Sequence, residues 1–484
     1  MASLDDSPAL DVLIIGAGFG GCYLLHLLRK NGFKTQIIEA AGAIGGVWAW
    51  NRYPGARVDV ELPYYGFSDP AIWNFFHWTE RYSSDKELRA YFQHVATVWD
   101  LHKDIKLNTK VVCATYIEDS ATWEVKTEND EIFGCRWLIA ATGTSYKQYI
   151  PEWKGLSSFE GTICHPAHWP EEPFPLEGKR VAVIGSGSTG LQVLQATSKV
   201  CSHATHFVRS PNIAIPMRQR AISEDEWLAA LHETFLVDPE INREAYDFWC
   251  QKTRQRIHNP VKRDILVPLD QPYYIQAKRP GIEQDYYESC DRENVTVTNS
   301  PIKEFTKTGL LTEDGIHHEF DIVIACTGYD AITGGLRTMN IQGRNGISLD
   351  EKWKDGVITH LGIFAHDFPN FCMVYGPQAP TSLTNGPVFL EIQCEFISKV
   401  LTRQRDQNIK TIEPKVEAEQ AWRDRVLGLA DQTLFPKGSS WYNGGNIPGK
   451  RKEFLLYVGG IPLYSEESEK ALQDWSSFEI HHGR

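Results

Sequence analysis

"DVLIIGAGFGGCYLLHLLRKNGFKTQIIEA", residues 11–40, decides the fold of this chain. Residues 11–15 are an apolar run that reads as a buried strand, and "KTQIIEA" at 34–40 reads as a second. Between them Gly16, Gly18 and Gly21 make G-x-G-x-x-G, and "CYLLHLLRKNG" follows with a helical pattern. A glycine motif alone says little. Set between a strand and a helix, it lets the backbone approach a pyrophosphate while the helix N-terminus faces that anion. Glu39 closes the second strand, 23 residues after Gly16. A carboxylate there accepts hydrogen bonds from both ribose hydroxyls of an adenosine and repels a 2′-phosphate. The first unit therefore predicts FAD or NAD.

The same grammar returns in "KRVAVIGSGSTGLQVLQATSKV", residues 179–200, which leads to the strand "ATHFVRS". Gly185, Gly187, Ser188, Thr189 and Gly190 form the turn, and Arg209-Ser210 ends the strand 24 residues after Gly185. A guanidinium at that point suits a 2′-phosphate, so this unit predicts NADP; a solvated surface arginine is the alternative. Two complete units imply an α/β fold with two Rossmann-like dinucleotide-binding domains. "WLIAATGT" (137–144) and "FDIVIACTGYD" (320–330) each run from an apolar strand into Thr-Gly, where such chains pass between domains. The expected division is 1–145 with 331–484 for the first domain, and 146–218 with 274–330 for the second. A short helical insertion is expected at 219–273, with Trp227, Leu228, Leu231, Phe235, Phe248 and Trp249 as its apolar positions. A later helix is expected from Pro387, after Asn385-Gly386.

The bulk properties exclude several classes. A formal net charge of −13 argues against a nucleic-acid partner. The ten cysteines include no C-x-x-C, which argues against a disulfide framework and a redox-active dithiol. The apolar N-terminal region is broken by glycines and lacks a basic leader, and no run approaches the ~20 apolar residues of a membrane span. The expectation is a soluble, cytoplasmic protein without a metal, a monomer or weak oligomer.

Two stretches carry further information. "GGVWAWNRYPGARVDVE", residues 45–61, is dense in Gly, Trp, Arg and Pro and reads as a structured loop beside something flat. In it Asp59 stands two residues from Arg57, so an ion pair between them is the plainest reading. "FEGTICHPAHWP", residues 159–170, sets Phe159, Gly161, His165, Trp169 and Pro170 just ahead of the second glycine turn.

Taken together these stretches resemble the type I Baeyer–Villiger monooxygenases, a class of flavoprotein monooxygenases. "FEGTICHPAHWP" matches their fingerprint F-x-G-x-x-x-H-x-x-x-W-P, and Gly46, Trp48 and Asp59 match a second signature. The similarity runs from about residue 10 to about residue 460, including "SSWYNGGNIPGK" (439–450). It implies FAD and NADPH as cofactors, O2 and a small-molecule ketone as substrates, and an ester or lactone product formed via a C4a-peroxyflavin. It also implies that Arg279, in "AKRPGIEQDYYE" (277–288), supplies the cation beside the reacting oxygens and that Asp59 tunes it. Lys278 is implied to help Arg209 at the 2′-phosphate, Trp441 to touch the nicotinamide cofactor, and His165 and Trp169 to lie in the linker entering the NADP domain.

Two features depart from the family pattern: the insertion is shorter than in its phenylacetone-oxidising member, and Thr144-Ser145-Tyr146 follows Gly143. Both bear on the substrate pocket, so S- or N-oxidation, epoxidation and hydroxylation stand as alternatives. A flavin reductase without oxygenation is a more distant one.

Overall fold

The computed structural model describes residues 10–170, 174–218, 237–379 and 385–482. In the first unit, β1 (Leu10–Ile15) leads through the glycine turn into α1 (Phe19–Lys30) and on to β2 (Thr35–Ile38). β1 lies inside an eight-stranded sheet, parallel to β2 on one side and to the strand Ile132–Ala140 on the other. Val12, Leu13 and Ile14 are fully buried, as a strand covered on both faces requires. The strand Ile132–Ala140 changes neighbour along its length. Its first half runs antiparallel to Thr122–Thr127, and its last three residues run parallel to Phe371–Met373. The chain beyond residue 330 thus returns to the sheet where it began.

The second unit repeats the arrangement. β3 (Arg180–Ile184), α2 (Ser188–Thr197) and β4 (His203–Phe207) belong to a five-stranded, wholly parallel sheet that also holds β5 (Ile322–Ala325). β5 lies between β3 and the short strand Thr162–Cys164, the middle of the 159–170 motif. Both glycine turns therefore stand at the carboxyl ends of parallel strands, where open α/β sheets bind ligands.

The predicted later helix is α3 (Gly386–Asp406), which packs against α1. The Asn385 side chain caps it by accepting from the Val388 N–H at 3.1 Å, and Pro387 fills a first-turn position that needs no donor. In the insertion, Trp227, Leu228, Leu231 and Phe235 lie outside the described residues. Beyond them are the helices Pro239–Arg254 and Pro260–Leu266. Phe248 corrects the sequence reading: it is 65% exposed. The buried face of its helix is carried by Asn242, Tyr246, Cys250 and Thr253, and Phe248 lies about half a turn round from Tyr246. Among the described residues, no helix is long and apolar enough to cross a membrane.

Candidate active site between two glycine turns

The two turns have nearly the same backbone. Gly16 and Gly185 both have φ of +107°, a region closed to side chains, and donate their N–H to Ile38 O (2.9 Å) and Phe207 O (3.0 Å). A methyl group on Gly21 would meet Gly16 O at 1.9 Å, and one on Gly190 would meet Gly185 O at 1.9 Å. These last glycines bring each helix tightly onto its turn. The middle glycines differ. A methyl group on Gly46 would come within 2.8 Å of the Gly18 Cα, so the 45–61 loop covers the first turn, whereas the added methyl of Gly187 would meet nothing within 4 Å.

The strand ends differ in charge. Glu39 is 5% exposed, and its carboxylate accepts from the Ala17 and Ala41 N–H groups at 2.7 Å each. Burial drives its pKa up while those backbone donors hold it down. Its second lone pairs remain for ribose hydroxyls. Arg209 is exposed and close enough to Lys278 to help lower the latter's pKa, after burial. Lys278 lies over the Tyr273 ring at 4.4 Å. The two cations line the cavity side by side, the donor set an anion would complete.

One cavity of about 1230 Å³ joins the two turns. It exceeds the roughly 300–1,000 Å³ of a single-ligand site. Gly16, Gly18, Glu39 and Gly46 line one end; Gly185, Gly187, Ser188, Thr189, Arg209, Ser210 and Lys278 line the other. Helix N-termini at Phe19 and Ser188 point backbone donors at these ends. The residues present thus fit two dinucleotides, one with a free 2′-hydroxyl and one with a 2′-phosphate.

Between the ends stands an ion pair that links residues far apart in sequence. The Arg279 Nε donates to Asp59 Oδ2 at 2.8 Å, and both residues line the cavity. The Asp59 charge raises the Arg279 pKa further. Burial pushes the Asp59 carboxyl up, but Arg279 outweighs it and the carboxyl stays below its ordinary value. Arg57 does not pair with Asp59: it donates to Glu80 Oε2 (2.6 Å) and Tyr82 O (2.8 Å). Three buried or half-buried phenols, Tyr65, Tyr375 and Tyr442, surround the pair; burial pushes Tyr442 up to about 12 even beside Arg279. None of the three is singled out by its local sequence, although Tyr442 directly follows Trp441. Trp441 lines the cavity and meets Tyr442 edge-on at 4.6 Å. Trp48 is not itself a lining residue; its Nε1 donates to the hydroxyl of Tyr65, which is.

The 159–170 stretch is mostly a framework. Phe159 packs edge-on against Phe305, Trp169 against Phe174, and a methyl group on Gly161 would meet Asp321 O at 2.7 Å. His165 has a fixed tautomer: Nδ1 accepts from the Ala167 N–H, so Nε2 carries the proton and donates to Gly328 O at 3.1 Å. Burial pushes its pKa down to about 4. Pro170 is exposed and ends the motif.

Residues 10–234 match the profile of the pyridine nucleotide-disulphide oxidoreductases. All ten cysteines are free, and no two stand in a C-x-x-C spacing. The chain is 35% identical to a cyclopentanone 1,2-monooxygenase from Comamonas sp., over 97% of this chain and 96% of that protein. It is 34% identical to a phenazine N-monooxygenase from Lysobacter antibioticus, over 99% and 98%. The crystal structure of a cyclohexanone monooxygenase from Rhodococcus sp. Phi1 bound to NADP+ superposes with a TM-score of 0.93 at 32% identity, covering 99% of this chain and all of that one.

Proposed function

Because the chain belongs to the type I Baeyer–Villiger monooxygenases, NADPH- and O2-dependent FAD enzymes, we propose that its cavity inserts one oxygen atom beside a ketone carbonyl at the Asp59–Arg279 junction. Overall, ketone, O2, NADPH and a proton become ester or lactone, water and NADP+. When bound, NADPH supplies a hydride and FAD supplies the oxygen-activating chemistry.

The chain's own residues have distinct tasks in this reading. Glu39 and the 16–21 turn bind FAD; Arg209, Lys278 and the 185–190 turn bind NADPH. This assigns FAD to 1–145 with 331–484 and NADPH to 146–218 with 274–330. Arg279 offers a fixed cation and N–H donors where a carbonyl oxygen gains negative charge. That effect grows as water is excluded, and Tyr65, Tyr375 and Trp441 line the cavity with it. Asp59 holds the guanidinium by its Nε and leaves its other N–H groups for the reacting oxygens. His165, neutral and committed at both nitrogens, moves no proton; it fixes the linker to Gly328. The observation that carries the proposal is the placing of Arg279 in one cavity with both turns.

One observation favours a second reading, N-oxidation: the phenazine N-monooxygenase is 34% identical to this chain, against 35% for the cyclopentanone enzyme. The test is a panel of cyclic, open-chain and polycyclic ketones and N-heteroaromatics, supplied with NADPH under 18O2. Ester or lactone carrying one 18O atom supports the proposal. N-oxide alone supports the second reading, and NADPH consumption without any oxygenated product contradicts both.

A further inference from the structure

The Lys450 side chain is 11% exposed, and its ammonium spends all three of its donors on one turn, 330–333. Nζ donates to Asp330 Oδ1 at 2.6 Å, Thr333 Oγ1 at 2.8 Å and Ala331 O at 3.3 Å. That turn is where the chain leaves β5 for the first sheet. A neighbouring contact reinforces the link: Asn446 Nδ2 donates to Tyr329 O at 2.8 Å. From the other side His165 Nε2 donates to Gly328 O.

The segment that Lys450 ends, residues 438–450, also reaches the reacting centre. It carries Trp441, and the Ser440 hydroxyl donates to Ala277 O at 3.2 Å, one residue before Lys278 and two before Arg279. Gly438 packs so closely there that a methyl group would meet Ala277 O at 2.5 Å. One loop thus touches the backbone that carries the cavity's cation and, through Lys450, the crossover turn that begins two residues after Gly328, which the 159–170 linker grips.

We infer that Lys450 is a positioning residue, a latch that holds the 438–450 loop against the 330–333 turn and so keeps Trp441 and the Ala277–Arg279 backbone in register with the linker. The activity part of the inference rests on the oxygenase reading above; the latch itself does not. Lys450→Met is the informative change. Asp330 keeps Lys147 at 3.5 Å, so its carboxylate is not left unpaired, and methionine fills much the same space. Lys450→Arg keeps the charge and at least part of the contact.

The experiment uses the purified holoenzyme with bound FAD and added NADP+. Amide hydrogen exchange in peptides spanning 438–450 is followed beside a peptide from β1 as internal control. Lys450→Met is expected to speed exchange of the loop roughly tenfold, as loss of a charge-assisted contact implies, with β1 unchanged and Lys450→Arg in between. With a ketone that the wild type oxygenates, the ratio of hydrogen peroxide to product should rise in Lys450→Met and fall back in Lys450→Arg. Unchanged loop exchange overturns the latch, and changed exchange with an unchanged ratio overturns its positioning of Trp441 and Arg279. If Lys450→Met does not fold, the Asp330→Asn variant decides by the same two readouts. If the wild type oxygenates no ketone, the oxygenase reading fails, and the exchange result alone decides the latch.

Discussion

The two glycine turns are near copies in backbone and opposites in what surrounds them. Gly16 and Gly185 share a φ of +107°, and Gly21 and Gly190 press equally onto the oxygens behind them. Yet the first turn is roofed by the 45–61 loop and ends at a buried carboxylate, whereas the second is open at Gly187 and ends at two cations, Arg209 and Lys278. The shared part answers a shared demand, a pyrophosphate against a helix N-terminus. The different part answers different occupancy: a roofed site suits a cofactor that stays through turnover, and an open one suits a cofactor that is replaced at each cycle. Arg279 and Asp59 stand where the two meet.

The largest break in that comparison comes from its roofed side. Glu39→Ala removes the ribose acceptor and strands the Ala17 and Ala41 N–H groups. Losing two charge-assisted hydrogen bonds of about 1.5–3 kcal/mol each should weaken FAD retention roughly 10²- to 10⁴-fold. Flavin absorbance per mole of protein after gel filtration measures it; full flavin content would place the adenosine elsewhere.

A break at the junction should spare FAD but stop oxygenation. Arg279→Ala should lower oxygenated product roughly 10²- to 10³-fold, the range for loss of one charge-stabilising group, with remaining NADPH use appearing as hydrogen peroxide. Normal product yields would remove Arg279 from the reaction. A break on the open side should be smaller. Arg209→Ala should raise the Michaelis constant for NADPH roughly 10- to 150-fold and leave that for NADH nearly unchanged.

How much of this was legible in the sequence depended on distance along the chain. The turns were readable because G-x-G-x-x-G and the acid or arginine at the strand end are local demands of backbone geometry. The Asp59–Arg279 pair spans 220 residues, and only the family resemblance pointed to it. The nearer partner, Arg57, was drawn away by Glu80, which spacing could not reveal. Tyr375 and Tyr442 were missed because a buried tyrosine in a core and one beside a reacting centre look the same in sequence. Lys450 was missed because nothing local marks a lysine whose partners lie about 120 residues earlier. Phe248 was misread because periodicity shows that a helix has an apolar face but not which neighbours cover the other one.

One property should not separate the two regions. Burial pushes His26 and His360 beside the first sheet, and His165 and His206 beside the second, down to about 4. The unfolded chain protonates these groups near pH 6.5, so between pH 6.5 and 4 it binds more protons than the folded state. Stability is therefore full above pH 6.5 and is lost as pH falls towards 4. At about 2–4 °C or less per kcal/mol for a chain of this size, Tm should fall by several degrees from pH 7 to pH 5. Replacing a single one of the four, as in His206→Phe, should narrow that difference only slightly. A Tm flat between those pH values would contradict the burial of these rings.

The claim that strand-end charge assigns the cofactors is tested most directly with fragments that carry nothing else. Calorimetric titration of the FAD-loaded wild type with 2′-phospho-ADP-ribose and with ADP-ribose isolates the 2′-phosphate. Arg209 and Lys278 predict that the phosphorylated fragment binds at least roughly tenfold more tightly, by a charge-assisted contact of about 1.5–3 kcal/mol, and that salt erodes the advantage. Equal affinities for the two fragments would contradict the account.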